Sequence, residues 1–314
     1  MSDSDYTLLE QSLLFGGVVS RSVDLETGEV VAPVESAEDW SGATPAQSSG
    51  GARSLLSTLH ISPFVEWASG AGLLKVSKGE KGKAPKGGKR GKITAFSFAS
   101  RRRLMRTIAK IKLDAELPCF VTLTYPNKFP SPIESKKHLD IFNKRLCRAF
   151  PNCGFIWKLE PQKRGAPHYH LLVWGCDEKL LSDFVPVAWH EIAGGGDEVH
   201  LMFHLGQLGN EHCVSQVRSR KGVMRYAEKY LGKTFEVAGW DEVYPGRFWS
   251  VVQKENIPFG QDMVMYITQK DAHVWMRYQR KFSKVKKLLR PSSFTIFCDA
   301  EQWVENILEV SKSK

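Results

Sequence analysis

The segment Pro167-His168-Tyr169-His170-Leu171-Leu172-Val173-Trp174 is an apolar, β-prone run carrying two histidines two residues apart. Alternate residues of a strand share a face, so His168 and His170 project together and Tyr169 points the other way. Two imidazoles side by side on a sheet face make a metal-chelating pair. The plainer alternative is a pair of half-exposed strand histidines. Upstream, Gly154 to Glu160 reads as a second strand and Arg164-Gly165 as a turn, so 154–174 forms a hairpin. Glu160 ends one arm of that hairpin and the histidines lie on the other. A plausible register brings the carboxylate beside the imidazoles, although a surface carboxylate at a turn would look the same. Two nitrogens and a carboxylate leave open positions on a divalent ion, which suits catalysis better than structure. Mn²⁺ accepts imidazole readily and Mg²⁺ prefers oxygen, and the residues do not choose between them.

Outward from the hairpin the pattern alternates. Ser100 can cap a helix to about Leu113, with Leu104, Ile108 and Ile111 inward and Arg101, Arg102 and Arg103 outward. Phe120 to Tyr125 is a strand ended by Pro126, and Ser135 opens a helix to about Phe150. Asp177 starts another helix. Val199 to Leu205 and Cys213 to Val217 read as short strands, Lys221 to Lys233 as a helix, Phe248 to Val252 as a strand, and 268–290 as a long basic helix. This order predicts an α+β domain in which an antiparallel sheet carries flanking helices. Three regions follow. Residues 1–92 are a largely disordered tail, acidic and then Lys/Gly-rich; 93–265 form the catalytic domain; 266–314 are a basic helical extension.

Charge is unevenly spread. Residues 1–50 carry nine carboxylates against Arg21, while residues 75–110 carry thirteen Lys/Arg against Glu80. The basic run is the electrostatic footprint of a polyanion, most often nucleic acid, or else a solvated linker. Arg101, Arg102, Arg103 and Lys233 are the candidate phosphate contacts. The six cysteines include no C-x-x-C pair. Neither a signal peptide nor a run near the ~20 apolar residues of a membrane span is visible, so the expectation is a soluble cytoplasmic protein with no membrane partner.

Tyr226 and Tyr230 stand i,i+4 on the expected helix and share a face. Lys229 and Lys233 each lie one turn beyond a phenol. Such ammonium groups favour a phenolate and stabilise charge developing on phosphorus, and an activated phenol is a competent nucleophile. Tyrosines packed on a sheet with outward-snorkelling lysines would give the same spacing.

These three features, taken in order, resemble the HUH endonucleases of the rolling-circle replication initiator family, found in single-stranded DNA phages and small plasmids. The matching motifs are Phe120-Val121-Thr122-Leu123-Thr124-Tyr125-Pro126, His168-Tyr169-His170, and Tyr226-Ala227-Glu228-Lys229-Tyr230-Leu231-Gly232-Lys233, the last of the two-tyrosine type. The resemblance implies a five-stranded antiparallel ferredoxin/RRM-like sheet and Mg²⁺ or Mn²⁺ dependence. It also implies nicking and rejoining of origin single-stranded DNA through a covalent 5′-phosphotyrosine, leaving a 3′-hydroxyl primer in a bacterial host cytoplasm. It makes His168 and His170 metal ligands and Tyr226 and Tyr230 nucleophiles, with Lys229 at the family's motif lysine. Gly232-Lys233-Thr234 has Ala227 where a phosphate-binding loop needs glycine, so a host helicase and a DNA polymerase are the implied partners. A two-tyrosine transposase or mobilisation relaxase shares this chemistry. A non-catalytic RRM-like nucleic-acid-binding module would need exposed sheet aromatics instead.

Overall fold

The structure is a computed structural model that describes residues 62–79, 93, 96–219, 246–282, 293–296 and 300–305. The expected 221–233 helix, with Tyr226, Lys229, Tyr230 and Lys233, lies outside the described residues, as do residues 1–61 of the expected tail. The chain divides into two units, one of residues 90–258 and one combining 1–89 with 259–314.

The fold class is α+β, as the sequence predicts. The 90–258 unit is built on a five-stranded sheet. Its strands are β3 (Cys119–Leu123), β4 (Gly154–Pro161), β5 (Pro167–Trp174), β6 (Val214–Gln216) and β7 (Trp249–Val252), in the order β6-β3-β5-β4-β7 with every pairing antiparallel. The β4–β5 hairpin runs in register from Gly154↔Trp174 to Pro161↔Pro167 and sits at the centre. A central hairpin must bury both faces, which is why nearly every residue of β4 and β5 is inaccessible. On one face Tyr169, Trp157, Leu159 and Leu171 form a core with Trp189 and Phe142. The other face carries Phe120, Thr122, Lys158, Glu160, His168 and His170.

Among the described residues, four helices accompany the sheet: α1 (Phe98–Ala109), α2 (Pro132–Ala149), α3 (Glu178–Trp189) and α4 (Glu198–His204). Ser97 caps α1 and Ser131 caps α2, each three residues or more before the start that the sequence suggests. Pro132 takes the first turn of α2, where its missing N–H costs nothing. Ser135, expected as the helix start, is buried instead and shares a 2.7 Å hydrogen bond with the Tyr169 hydroxyl. Asp177 caps α3 as predicted.

One element reverses its expectation. Val199 to Leu205, read as a strand, is helix α4: the Asp197 carboxylate accepts the His200 amide and starts a helical turn. His200 and His204 share a face at i,i+4 in either geometry, so their burial does not tell helix from strand. Between α3 and α4 lies a π-helical turn, His190–Gly194, ended by Gly195 in the left-handed region.

In the other unit, β1 (Phe64–Ala68), β2 (Leu74–Ser77), β8 (Asp262–Tyr266) and β9 (Ser293–Ile296) form an antiparallel sheet in the order β8-β1-β2-β9. Val65, Leu74 and Val76 pack with Trp275 and Met276 of α5 (Gln269–Phe282) and with Trp303. On the opposite face Glu66 and Lys75, register partners, form a 3.3 Å ion pair. The expected tail is therefore corrected over 62–79, where β1 and β2 fold. The expected basic helical extension is corrected too, because β9 follows α5. The described part of that basic helix ends at Phe282, short of the 290 expected. The physical reason is common to both corrections: β1 and β2 are short and find partners far along the chain, so no local pattern announces them.

Candidate active site

Glu160 and His168 are register partners across the hairpin, and so are Lys158 and His170, which in turn faces Thr122 on β3. The register brings together all three residues that the sequence nominates on the hairpin. The His168 and His170 rings meet edge to face with centroids 4.4 Å apart. The Glu160 Oε2 lies 3.6 Å from His170 Nε2, and Glu160 Oε1 accepts a hydrogen bond from Lys158 Nζ. Burial alone would raise the Glu160 carboxyl. The His170 hydrogen bond and the Lys158 charge outweigh it and hold the carboxyl below its ordinary value, as an anion at neutral pH. Burial, reinforced by His170, His204 and Arg164, keeps the His168 imidazole well below its usual range, hence neutral.

Sequence reasoning misses Lys158. It is 1 % exposed and lies 4.9 Å from the Phe96 ring centroid. Its only sequence signal is even spacing from Glu160 in an otherwise apolar strand. The imidazoles are held through their Nδ1 atoms, 3.4 Å from Thr122 Oγ1 for His170 and 3.3 Å from Gln162 Nε2 for His168. Phe120 stacks on the His170 ring. Gln162 is itself oriented, because Arg164 Nε donates to its Oε1 at 2.8 Å while the rest of the guanidinium binds the carbonyls of Tyr125 and Pro126. Arg164 can only donate, so the Gln162 amide nitrogen faces His168. Nδ1 then accepts, and the ring proton sits on Nε2.

The donor types suit a divalent ion that takes imidazole and carboxylate, and a neutral imidazole beside an anionic carboxylate has the required protonation states. Two adjustments accompany such binding. The Gln162 amide must turn over for His168 to offer Nε2, and Glu160 must leave Lys158. As the side chains stand, no three His, Cys, Asp or Glu among the described residues are grouped to hold a metal ion.

The N-terminal end of α1 belongs to this face: Trp249, the register partner of Lys158, donates from its indole to Ser100 Oγ at 2.9 Å. Arg102 stacks over Phe98, Arg101 is half-buried and Arg103 is exposed. Trp157 and Trp174 are buried, as core rather than as stacking surfaces. No helix among the described residues is long and apolar enough to cross a membrane.

Residues 118–235 match a family model of replication-associated proteins of the ORF2 type. The match begins at β3, takes in both histidines and Glu160, and extends past Tyr226 and Tyr230. No curated protein and no solved structure matches the chain significantly.

Proposed function

We propose that this protein is a replication initiator that nicks and rejoins origin single-stranded DNA through a covalent 5′-phosphotyrosine. The observation that carries the reading is the Glu160–His168–His170 grouping on one sheet face, inside a stretch matched to a replication-associated family that continues through Tyr226 and Tyr230. Glu160, His168 and His170 would hold Mg²⁺ or Mn²⁺. Such an ion, when bound, withdraws charge from a scissile phosphate. In the proposed reaction the Tyr226 or Tyr230 oxygen attacks phosphorus in line. A Tyr–O–P bond forms and the P–O3′ bond breaks. The phenolic proton is lost and the departing oxygen gains one, giving a 3′-hydroxyl primer. Lys229 supports the phenolate, and the second tyrosine permits a second transfer that rejoins the strand. Arg101, Arg102, Arg103 and Lys233 contact the DNA backbone, each adding to salt dependence. A host helicase and polymerase then extend the primer in the bacterial cytoplasm.

The test is incubation of the full chain with Mn²⁺ and an origin-like single-stranded oligonucleotide. A denaturant-resistant protein–DNA adduct is expected, absent in Tyr226→Phe/Tyr230→Phe and absent with excess EDTA. Cleavage that persists in the double variant would overturn the covalent mechanism.

A further inference from the structure

Two buried imidazole nitrogens away from the Glu160 face have no hydrogen-bond partner among the described residues: His190 Nδ1 and His200 Nδ1. His200 is 5 % exposed. Its Nε2 lies 3.0 Å from the Thr124 carbonyl oxygen, which can only accept. The ring proton is therefore on Nε2, and Nδ1 carries a bare lone pair in the protein interior. An unsatisfied buried nitrogen of this kind is destabilising unless something else binds it. An imidazole that donates one N–H to a backbone carbonyl and bares the other nitrogen is in the state of a metal ligand with its outer contact already made.

His204, one turn later, shows the contrast. Its Nδ1 donates to the His200 carbonyl at 3.0 Å, and its Nε2 accepts the Thr124 amide at 3.3 Å. Both nitrogens are used, so His204 is structural. His190 is placed differently: it opens the π-helical turn after α3, and its ring centroid lies 6.1 Å from that of His200. A single ion at roughly 2.1 Å from each nitrogen bridges two ring centroids about 5–6.5 Å apart. π-Helical turns recur where a backbone is distorted to aim a side chain.

We infer that His190 and His200 form a second metal site, for a transition ion of the Zn²⁺ class, that ties the π-helical turn to α4. Two imidazoles and no grouped carboxylate favour Zn²⁺ over Mg²⁺, with water or an added ligand completing the coordination. The site is independent of the proposed nicking chemistry. Thr124 links it to β3, because both Trp189 and His200 donate to the Thr124 carbonyl.

The test is equilibrium dialysis of the full chain against Zn²⁺, with metal counted per chain. In His168→Ala/His170→Ala, which removes the hairpin ligands, one equivalent should remain. Adding His190→Ala should abolish it, and Mg²⁺ should not compete. In the Co²⁺-loaded chain a contact-shifted, slowly exchanging N–H should appear from His200, still bonded to Thr124, and should be lost in His200→Gln. Zinc bound equally well by the His190→Ala chain would overturn the site. So would a His168→Ala/His170→Ala chain that folds and binds no zinc, which would assign the gap between the rings to an ordered water.

Discussion

Glu160 stands directly opposite His168 in the β4–β5 ladder, yet its carboxylate is engaged by Lys158 and faces His170. Lys158 and Glu160 are thus a buried ion pair, 1 % and 9 % exposed in their side chains. Glu160→Ala leaves a buried ammonium without its carboxylate and should cost about 3–5 kcal/mol in urea unfolding. Lys158→Met/Glu160→Leu removes both charges and should recover most of that loss. A double variant as unstable as Glu160→Ala would show that the pair is not the source of the cost.

Lys158 also competes with any cation for Glu160. Lys158→Met should therefore raise Mn²⁺ affinity, by roughly 10-fold if the freed carboxylate offsets about 1.4 kcal/mol of competition. Titration calorimetry reads it. Unchanged affinity would mean that Glu160 is not a ligand.

Gln162 gives a second handle. Its amide, fixed by Arg164, puts the His168 proton on Nε2, the wrong nitrogen for ligation from that side. Gln162→Glu would accept from Nδ1–H and keep an ion pair with Arg164, favouring the ligating tautomer. Outer contacts of this kind change metal affinity by about 10–100-fold, so tighter Mn²⁺ binding is expected. Binding weaker than in the parent chain would contradict the assigned amide orientation.

The hairpin and the pairing of Glu160 with the histidines were legible because alternation along β4 and β5 leaves one arrangement that keeps the apolar residues buried. Lys158 was not, since a lysine in a strand ordinarily points outward and only Glu160 and the neighbouring ring explain its burial. His200 and His204 were ambiguous because spacing by four shares a face in strand and helix alike; the Asp197 cap decides the matter. The sheet of β1, β2, β8 and β9 was hidden because its pairings join distant segments.

His204 predicts a pH dependence. Burial pushes its imidazole down to about 4 from the ordinary 6.5. In the unfolded chain it protonates near 6.5, so between those values the unfolded state binds more protons. Its contribution is fully present above pH 6.5 and lost as pH falls toward 4, by about 3 kcal/mol at most. His168 and His200 shift in the same direction and add to the slope. The urea midpoint should drop across this window, and less steeply in His204→Gln. An equal slope in the variant would remove His204 as a source.

The two ends of the hairpin should differ in their tolerance of a methyl group. Gly165, in the turn, has φ +83° and open space around a would-be Cβ, so Gly165→Ala carries only the backbone penalty of about 1–2 kcal/mol. Gly175, just beyond β5, has φ +73°, and a Cβ there would come 2.3 Å from the Asn152 carbonyl oxygen. That neighbour is backbone and cannot swing aside, so Gly175→Ala must add a displacement of the chain before β4 to the same penalty. Its cost should exceed that of Gly165→Ala by about 1–3 kcal/mol. Urea unfolding of the two single variants checks the order, and a larger loss at Gly165 would mean that the β4–β5 register is not anchored at its Cys153 end.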